Sequence, residues 1–182
     1  MARFANAAGE EFDGGGMSGG DVLRHWNLEK NALAVRVNGK LKDLHAILEE
    51  DALVEPVTSE SPEGLEMLRH SASHLLAQAV LNLFPGTKYA IGPAIKDGFY
   101  YDFEVAGQIT EEDLPKIEKE MAKLAKEKTS LSREVLPRAQ ALDLFKEQGQ
   151  TYKVELIQAL EDENISCYRQ GDFIDLCRGP HV

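Results

Sequence analysis

Four side chains that can bind a metal ion or move a proton occur as two pairs, far apart in the sequence. His70 and His74 form one pair, and Cys177 and His181 form the other, each with a spacing of four residues. Nitrogen and sulfur atoms of these types can converge on one site, either as a Cys/His metal centre or as an acid–base cluster. The sequence therefore predicts a functional site, provided that folding brings the two pairs together.

Each pair alone is a weak signal. A metalloprotease helix carries a glutamate directly after its first histidine, and Ser71 occupies that position here. Two histidines on one helix are more often structural than functional. The other cysteine, Cys167, lies in a predicted strand and is interpreted as a buried structural thiol.

The first pair lies on a predicted long helix. Ser61 is expected to cap its N-terminus, and Pro85 to stop it after about 23 residues, where the apolar residues cease to recur at helical spacing. Because residues four apart share a helix face, His70 and His74 should lie side by side along the apolar stripe.

The second pair follows the last predicted strand. Residues 166–169 and 172–177 are predicted to form a hairpin around Gln170-Gly171, so Cys177 stands at a strand end. Between the long helix and this hairpin the sequence predicts a hairpin over residues 88–105, then helices over about 111–128, 137–149 and 152–160.

Residues 1–58 are predicted to be a small β-rich unit. Asn38-Gly39 between two apolar stretches is typical of a tight hairpin turn, and residues 51–57 are expected to form another strand. A short helix is predicted between Ser18 and Trp26, whereas residues 1–15 show no clear pattern.

Composition limits the classes of function. The chain has 182 residues and a formal net charge of −11, which argues against gripping nucleic acid over its whole surface and favours local contacts. No apolar run approaches the roughly 18 residues needed to cross a bilayer, so no membrane partner is expected. With two cysteines, no disulfide framework is expected, and the predicted location is cytoplasmic.

Several sequence blocks together resemble a known family. In order and spacing they are similar to the editing domain of threonyl-tRNA synthetases; the blocks are Arg69–Ala77, Ala90–Pro93, Gly98–Asp102 and Asp175–Val182. The resemblance implies an α+β fold, with an editing domain over residues 59–182 in which a long helix packs on an antiparallel sheet. Residues 1–58 resemble the ubiquitin-like TGS domain of the same family, which has a β-grasp fold.

The activity that the resemblance implies is hydrolysis of an ester bond. Serine lacks one methyl group of threonine, and such a difference supplies only about 10–200-fold discrimination, so a second site must remove serine that was attached in error. The two pairs named above would form this site. By the same resemblance, Lys153 is expected to stabilise the oxyanion, and Tyr101 and Asp175 to shape the substrate pocket. Their simpler interpretations are a surface lysine, a core aromatic residue and a strand-end carboxylate.

The expected cofactors and partners follow from the same resemblance. Metal-free acid–base chemistry is favoured, although His70, His74, Cys177 and His181 would be the ligands if Zn²⁺ were bound, as it is in related alanyl editing domains. The expected partners are tRNA(Thr) and mischarged seryl-tRNA. ATP, a further Zn²⁺ and homodimer contacts would belong to a synthetase core that this chain lacks.

We therefore expect an N-terminal piece of a threonyl-tRNA synthetase, with an editing domain that is incomplete at its C-terminal end and weakly active or inactive alone. Two alternatives are a free-standing trans-editing hydrolase and a non-catalytic zinc- or RNA-binding module.

Overall fold

The computed structural model describes residues 2–182, which form two compact units. One unit contains the chain up to Arg69 together with Gly179–Val182, and the other contains His70–Arg178. Both units combine helix with mainly antiparallel sheet, as expected for the α+β class. Within residues 2–182, no helix is both long and apolar enough to cross a membrane.

The first unit is built around a mixed sheet and one short helix. Its elements are β1 (Arg3–Ala5), β2 (Glu11–Asp13), β3 (Met17–Ser18), α1 (Gly19–His25), β4 (Ala32–Val37), β5 (Lys40–Asp43), β6 (Ile47–Leu48), β7 (Ala52–Thr58) and the start of α2 (Pro62–Leu83). The sheet has the order β2-β1-β7-β4-β5, in which β1 and β7 run parallel. Val22 and Leu23 of α1 pack with Phe4, Val35 and Val54 of the sheet to form a buried core.

The predicted Asn38-Gly39 turn is confirmed. Strands β4 and β5 pair antiparallel up to Val37 and Lys40, and the two turn residues have φ values of 49° and 82°. Both values lie in the left-handed region that a two-residue hairpin turn requires.

The structure also contains a hairpin over residues 3–13, in the part of the chain where the sequence showed no clear pattern. The Asn6 side chain closes its turn, because Asn6 Oδ1 accepts hydrogen bonds from the backbone amides of Ala8 and Glu10, each at 3.0 Å. An asparagine that bonds its own turn in this way supplies a local constraint that apolar periodicity does not report.

The first unit extends beyond residue 58 because the first turns of α2 pack against the sheet. Met67 is 4% exposed and lies with Ala34 and Val57 in one apolar cluster. Ser61 caps the helix as predicted: its hydroxyl accepts a hydrogen bond from the Gly64 amide at 3.1 Å.

The second unit begins with the rest of α2 and ends with an antiparallel sheet. Its further elements are β8 (Lys88–Tyr89), β9 (Ala94–Ile95), β10 (Gly98–Phe99), β11 (Phe103–Glu104), α3 (Leu114–Glu127), β12 (Leu131–Pro137), α4 (Arg138–Glu147), α5 (Thr151–Ala159), β13 (Asn164–Gln170) and β14 (Phe173–Leu176). The sheet has the order β12-β13-β14, and β12 was not among the predicted strands. The predicted hairpin over residues 88–105 forms two short ladders, β8 with β11 and β9 with β10.

Helix α2 buries two faces within the second unit. Ala77 packs with Tyr89, Tyr101 and Phe173, whereas Ala79 and Val80 belong to a cluster that includes α3. The helix is therefore fixed in rotation, which fixes the direction of its histidines.

Replacement of Gly64 by alanine is expected to destabilise the protein, although alanine normally favours a helix. A Cβ at this position would lie 1.9 Å from the carbonyl oxygen of Thr58, which is backbone and cannot move aside easily. We expect Gly64→Ala to lose about 1–3 kcal/mol of unfolding free energy in urea denaturation. Gly98→Ala is the matched control, because a Cβ at Gly98 meets no atom within 4 Å. Equal stability of the two variants would contradict this packing.

Candidate active site

Three of the four predicted chemical residues converge within the second unit. Helix α2 places His70 and His74 one turn apart, with ring centroids 4.9 Å apart and planes at 84°. Cys177 lies directly after β14, and its Sγ is 3.5 Å from Nε2 of His70. The candidate ligand atoms of these three residues all lie within 4.8 Å of one another. The spacing in the sequence thus corresponds to a real cluster.

The fourth residue, His181, belongs to the C-terminal segment that is grouped with the first unit. It is 4% exposed, and its backbone amide donates a hydrogen bond to Oδ1 of Asp43 at 2.8 Å. Its predicted participation in the site stays a prediction.

A buried ion pair lies beside the histidines. Lys153 on α5 and Asp175 on β14 are each 2% exposed, and the ammonium group of Lys153 contacts the carboxylate directly. The ammonium also donates hydrogen bonds to the Ala90 carbonyl at 2.5 Å and to the Tyr101 hydroxyl at 3.1 Å. These three acceptors match the three N–H donors of a lysine. The interpretation of Lys153 as a surface lysine is therefore wrong. Its ammonium group is fully occupied by contacts with Asp175, Ala90 and Tyr101.

Tyr101 links the same two charges. Its hydroxyl accepts from Lys153 and donates to Oδ2 of Asp175 at 2.5 Å. Burial, together with the negative charge of Asp175, raises the pKa of the Tyr101 hydroxyl above its ordinary value. The phenol therefore keeps its proton and stays a hydrogen-bond donor to the carboxylate.

His74 lies against the same carboxylate but carries no charge at neutral pH. Its Nε2 is 3.4 Å from Oδ2 of Asp175, and the residue is 4% exposed. Burial, followed by electrostatic interactions with His70 and Lys153, holds the pKa of His74 well below its usual range. Because Lys153 already balances Asp175, we interpret the His74–Asp175 contact as one made by a neutral imidazole, with Nε2 carrying the proton.

These groups border a cavity of about 350 Å³. Its polar wall consists of His70, His74, Tyr101, Lys153 and Asp175, and its apolar wall of Ala90, Ile91, Pro93, Leu156, Leu160 and Leu176. A concave site with one apolar side and a few convergent polar groups is typical of small-molecule binding. A pair of histidines at such a wall, one of them oriented by a carboxylate, can accept a proton from a bound water.

Two structural residues of the site were not predicted. Gly92 lies so close to Tyr101 that a Cβ would meet the ring at 2.1 Å, and its carbonyl accepts a hydrogen bond from Ser73 at 2.6 Å. Ser73 therefore ties α2, the helix that carries both histidines, to the loop of residues 90–93 that lines the cavity. Gly92 and Ser73 stand inside the quoted sequence blocks, which was the only signal in the sequence.

Tyr89 was also missed, and it supports the buried lysine. Its ring lies 4.7 Å from the Lys153 ammonium, and its hydroxyl donates to the Ile174 carbonyl at 2.5 Å. A cation over an aromatic face is stabilised further when both are buried.

Cys167 is buried, as predicted, and lies apart from this cluster in an apolar core with Phe145 and Ile165. Burial raises the pKa of its thiol to about 11, so it is protonated and unreactive at neutral pH.

Comparison with known proteins points to one kind of enzyme. No protein-family profile matches the chain. A threonine–tRNA ligase of Citrifermentans bemidjiense is 54% identical over 85% of this chain, which corresponds to 24% of that enzyme. The ligase of Aromatoleum aromaticum is 53% identical over 85% of the chain and 24% of its own length. The ligase of Rubrobacter xylanophilus is 48% identical over the whole chain and 29% of its own length.

The chain is similar to threonine–tRNA ligases. It spans about a quarter of the length of the curated relatives that it matches. The similarity agrees with the resemblance seen in the sequence blocks, and it covers the candidate active site.

Removal of the Lys153 charge is expected to destabilise the second unit strongly. Lys153→Met leaves Asp175 buried without its counter-charge, which should cost about 3–5 kcal/mol in urea denaturation. Combining Lys153→Met with Asp175→Asn should recover part of this loss, because no unpaired charge then remains. Lys88→Met is the control: it breaks the exposed Lys88–Glu104 pair and should cost less than about 1 kcal/mol. Similar losses for Lys153→Met and Lys88→Met would contradict the buried pair.

Stability is expected to fall as the pH drops below about 6.5, the ordinary pKa of histidine. The pKa of His74 is held well below that value in the folded state, so in acid the unfolded chain binds a proton that the folded protein excludes. The stabilising contribution of neutral His74 to the free energy of unfolding is fully present above about pH 6.5. It should decrease by up to about 1.4 kcal/mol per pH unit until the pH passes below the folded pKa. Urea denaturation over this range measures the slope.

His74→Gln should make this pH dependence shallower, whereas His45→Gln, at an exposed histidine, should leave the slope unchanged. A slope that is the same in His74→Gln and in the unmodified chain would show that His74 is not kept neutral by folding.

Proposed function

We propose that this chain hydrolyses the aminoacyl ester of mischarged seryl-tRNA(Thr) at the cavity bordered by α2, α5 and β14. The observation that carries the proposal is the buried, neutral His74 held 3.4 Å from Asp175, with His70 and Cys177 beside it. The ligase names of the relatives make an aminoacyl-tRNA the most direct source of an ester that fits such a site.

In this reaction a water molecule attacks the ester carbonyl carbon. The cluster of His70 and His74 accepts the proton of the water as its oxygen forms the new C–O bond. The tetrahedral intermediate then collapses, the bond to the ribose oxygen breaks, and the proton passes to that oxygen. The products are free serine and uncharged tRNA. No oxidant, reductant or nucleotide is consumed.

Lys153 acts in this scheme chiefly as a positioning residue. Its three donors are directed to Asp175, to the Ala90 carbonyl and to Tyr101. It keeps the Asp175 carboxylate in place and neutralised, and Asp175 in turn orients His74. A direct role of Lys153 at the oxyanion, and of Tyr101 and Asp175 in contacting substrate, stay predictions.

An editing site compensates for the limited selectivity of the ligation reaction for threonine over serine. A pocket that accepts threonine also accepts serine, because the loss of one methyl contact gives only about 10–200-fold discrimination. Hydrolysis of the serine ester at a second site multiplies this ratio. The apolar wall of Ile91, Pro93 and Leu156 would face the aminoacyl end of the tRNA.

We further propose that the chain is an N-terminal piece of a threonine–tRNA ligase that acts on tRNA(Thr) in the cytoplasm. The strand order β2-β1-β7-β4-β5, with a parallel central pair and one packed helix, supports a β-grasp TGS domain at its start. ATP, a catalytic Zn²⁺ and homodimerisation are then properties of the remaining three quarters of the ligase.

A zinc centre is the second candidate, and one distance favours it. Ligands at about 2.0–2.1 Å for nitrogen and 2.3 Å for sulfur in tetrahedral geometry lie about 3.6 Å apart. His70 Nε2 and Cys177 Sγ are 3.5 Å apart. His70, His74 and Cys177 would then hold the ion, with His181 as the predicted fourth ligand. Bound zinc would polarise a water or a carbonyl group.

The editing proposal predicts a specific loss of hydrolysis in His74→Ala. With the chain in excess over labelled seryl-tRNA(Thr), release of serine should be faster than in buffer. His74→Ala should lower the rate about 10²–10⁴-fold, the usual contribution of a general acid–base group. His25→Ala, at an exposed histidine on α1, should leave the rate unchanged.

The other possible outcomes either contradict the editing proposal or favour one of the two alternatives. Equal hydrolysis of threonyl and seryl esters, or full activity of His74→Ala, would contradict editing at this site. Full activity of the isolated chain would favour a free-standing trans-editing hydrolase over a fragment. Tight binding of one zinc ion without hydrolysis, and unfolding on chelation, would support the non-catalytic module instead.

A further inference from the structure

The side chain of Gln150 takes the place of a neighbouring strand beside β8. Its Nε2 donates a hydrogen bond to the Thr87 carbonyl at 3.1 Å, and its Oε1 accepts one from the Tyr89 amide at 3.2 Å. Strand β8 pairs with β11 along its other edge. One carboxamide therefore supplies the donor and the acceptor that a second paired strand would otherwise provide.

Helix capping does not account for this glutamine. Gln150 is the residue before α5, but its side chain makes no hydrogen bond to the first turn of that helix. The residues that cap helices well are serine, threonine, aspartate and asparagine. Gln150 is also only 6% exposed, and a buried carboxamide that is bonded at both its oxygen and its nitrogen has a fixed orientation. Its bonds to the strand are thus what the side chain does in the fold.

Gln150 and Lys153 hold the same stretch of chain. They lie one helical turn apart, so their side chains leave the same face of α5. Lys153 donates to the Ala90 carbonyl at 2.5 Å, next to the two bonds that Gln150 makes. The start of α5 is therefore fixed to residues 87–90 by three hydrogen bonds. The place of the Lys153 ammonium beside Asp175 depends on this attachment.

Tyr89 connects the strand that Gln150 holds to the same ion pair. Its ring lies 4.7 Å from the Lys153 ammonium, and its hydroxyl donates to the carbonyl of Ile174, the residue before Asp175, at 2.5 Å. Burial raises the pKa of this hydroxyl, so it keeps its proton and stays a donor. A displacement of β8 would therefore reach both members of the pair.

We propose that Gln150 is a positioning residue of the candidate active site. By holding β8 against the start of α5, it sets the distance between Lys153 and Asp175 and, through Asp175, the orientation of His74. Gln150 is not among the residues that line the cavity bordered by α2, α5 and β14, so it acts on the reaction only through these neighbours. Its effect on rate rests on the proposed ester hydrolysis, whereas its effect on Lys153 does not.

The first test is Gln150→Met, which keeps the length of the side chain and removes both hydrogen bonds. Hydrolysis of labelled seryl-tRNA(Thr) is measured at increasing concentrations of chain, always in excess. We expect the limiting rate to fall about 10–100-fold, because a misplacement of about 1 Å caused far from the reacting atoms costs up to about 100-fold. The chain concentration that gives half of this rate should not change.

This pair of readouts separates positioning from loss of folded protein. A variant that is only partly folded supplies less active chain, so it would raise the half-maximal concentration and leave the limiting rate unchanged. Gln148→Met is the matched control, because Gln148 is an exposed glutamine two residues earlier in the same connection. It should change neither value.

Gln150→Glu tests the hydrogen bond to Thr87 by its pH dependence. A carboxylate cannot donate to a carbonyl, whereas a protonated carboxyl group has one donor and one acceptor, like the amide that it replaces. Burial raises the pKa of a carboxyl group. The rate of Gln150→Glu, relative to the unmodified chain at the same pH, should therefore rise toward one as the pH falls. The relative rate of Gln150→Met should stay low. If Gln150→Met does not fold, the pH response of Gln150→Glu decides the proposal.

The ammonium group of Lys153 is followed without any reaction. In ¹⁵N-lysine-labelled protein, ammonium protons that are buried and hydrogen-bonded exchange slowly with water and give an NMR signal. We expect this signal for Lys153 in the unmodified chain and in Gln148→Met, and its loss or displacement in Gln150→Met.

Two results would overturn the role of Gln150. One is a Lys153 signal that is the same in Gln150→Met and in the unmodified chain. The other is an active chain whose limiting rate is unchanged in Gln150→Met, or whose Gln150→Glu variant has a relative rate that does not rise as the pH falls. A chain that hydrolyses no seryl-tRNA but loses the Lys153 signal in Gln150→Met alone would contradict the proposed hydrolysis and support the positioning of Lys153 by Gln150.

Discussion

The buried ion pair between Lys153 and Asp175 is the interaction on which the candidate site depends. Two charges removed from water stabilise a fold only when their remaining hydrogen bonds are also satisfied. Here the Ala90 carbonyl, the Tyr101 hydroxyl and His74 complete the arrangement. This ion pair therefore fixes α5, β14, the loop of residues 90–93 and His74 relative to one another.

The same pair sets the chemistry of the site. An aspartate alone would raise the pKa of a neighbouring histidine, but Lys153 balances the charge and burial lowers that pKa. His74 is then an oriented, neutral base instead of a cation. His70 and Cys177 lie beside His74. The 3.5 Å between Nε2 of His70 and Sγ of Cys177 suits either proton transfer or a shared metal ion.

The sequence predicted those parts of the fold whose conformation depends on neighbouring residues in the chain. Helical spacing placed His70 and His74 on one face, and Asn38-Gly39 placed a hairpin, because each depends on a few adjacent residues. The burial of Lys153 could not be predicted from spacing, since it depends on Asp175 on another element. Strand β12 and the Ser73–Gly92 contact were missed for the same reason: both require a partner distant in sequence.

The protonation state of His74 tests the central claim most directly. Nitrogen NMR of ¹⁵N-histidine-labelled protein reports both the charge and the proton position of each imidazole. The account predicts that His74 is neutral in the folded chain at about pH 6, below the ordinary histidine pKa, with its proton on Nε2 toward Asp175. A His74 imidazole that titrates near its ordinary pKa of about 6.5, or that carries both protons at about pH 6, would contradict it.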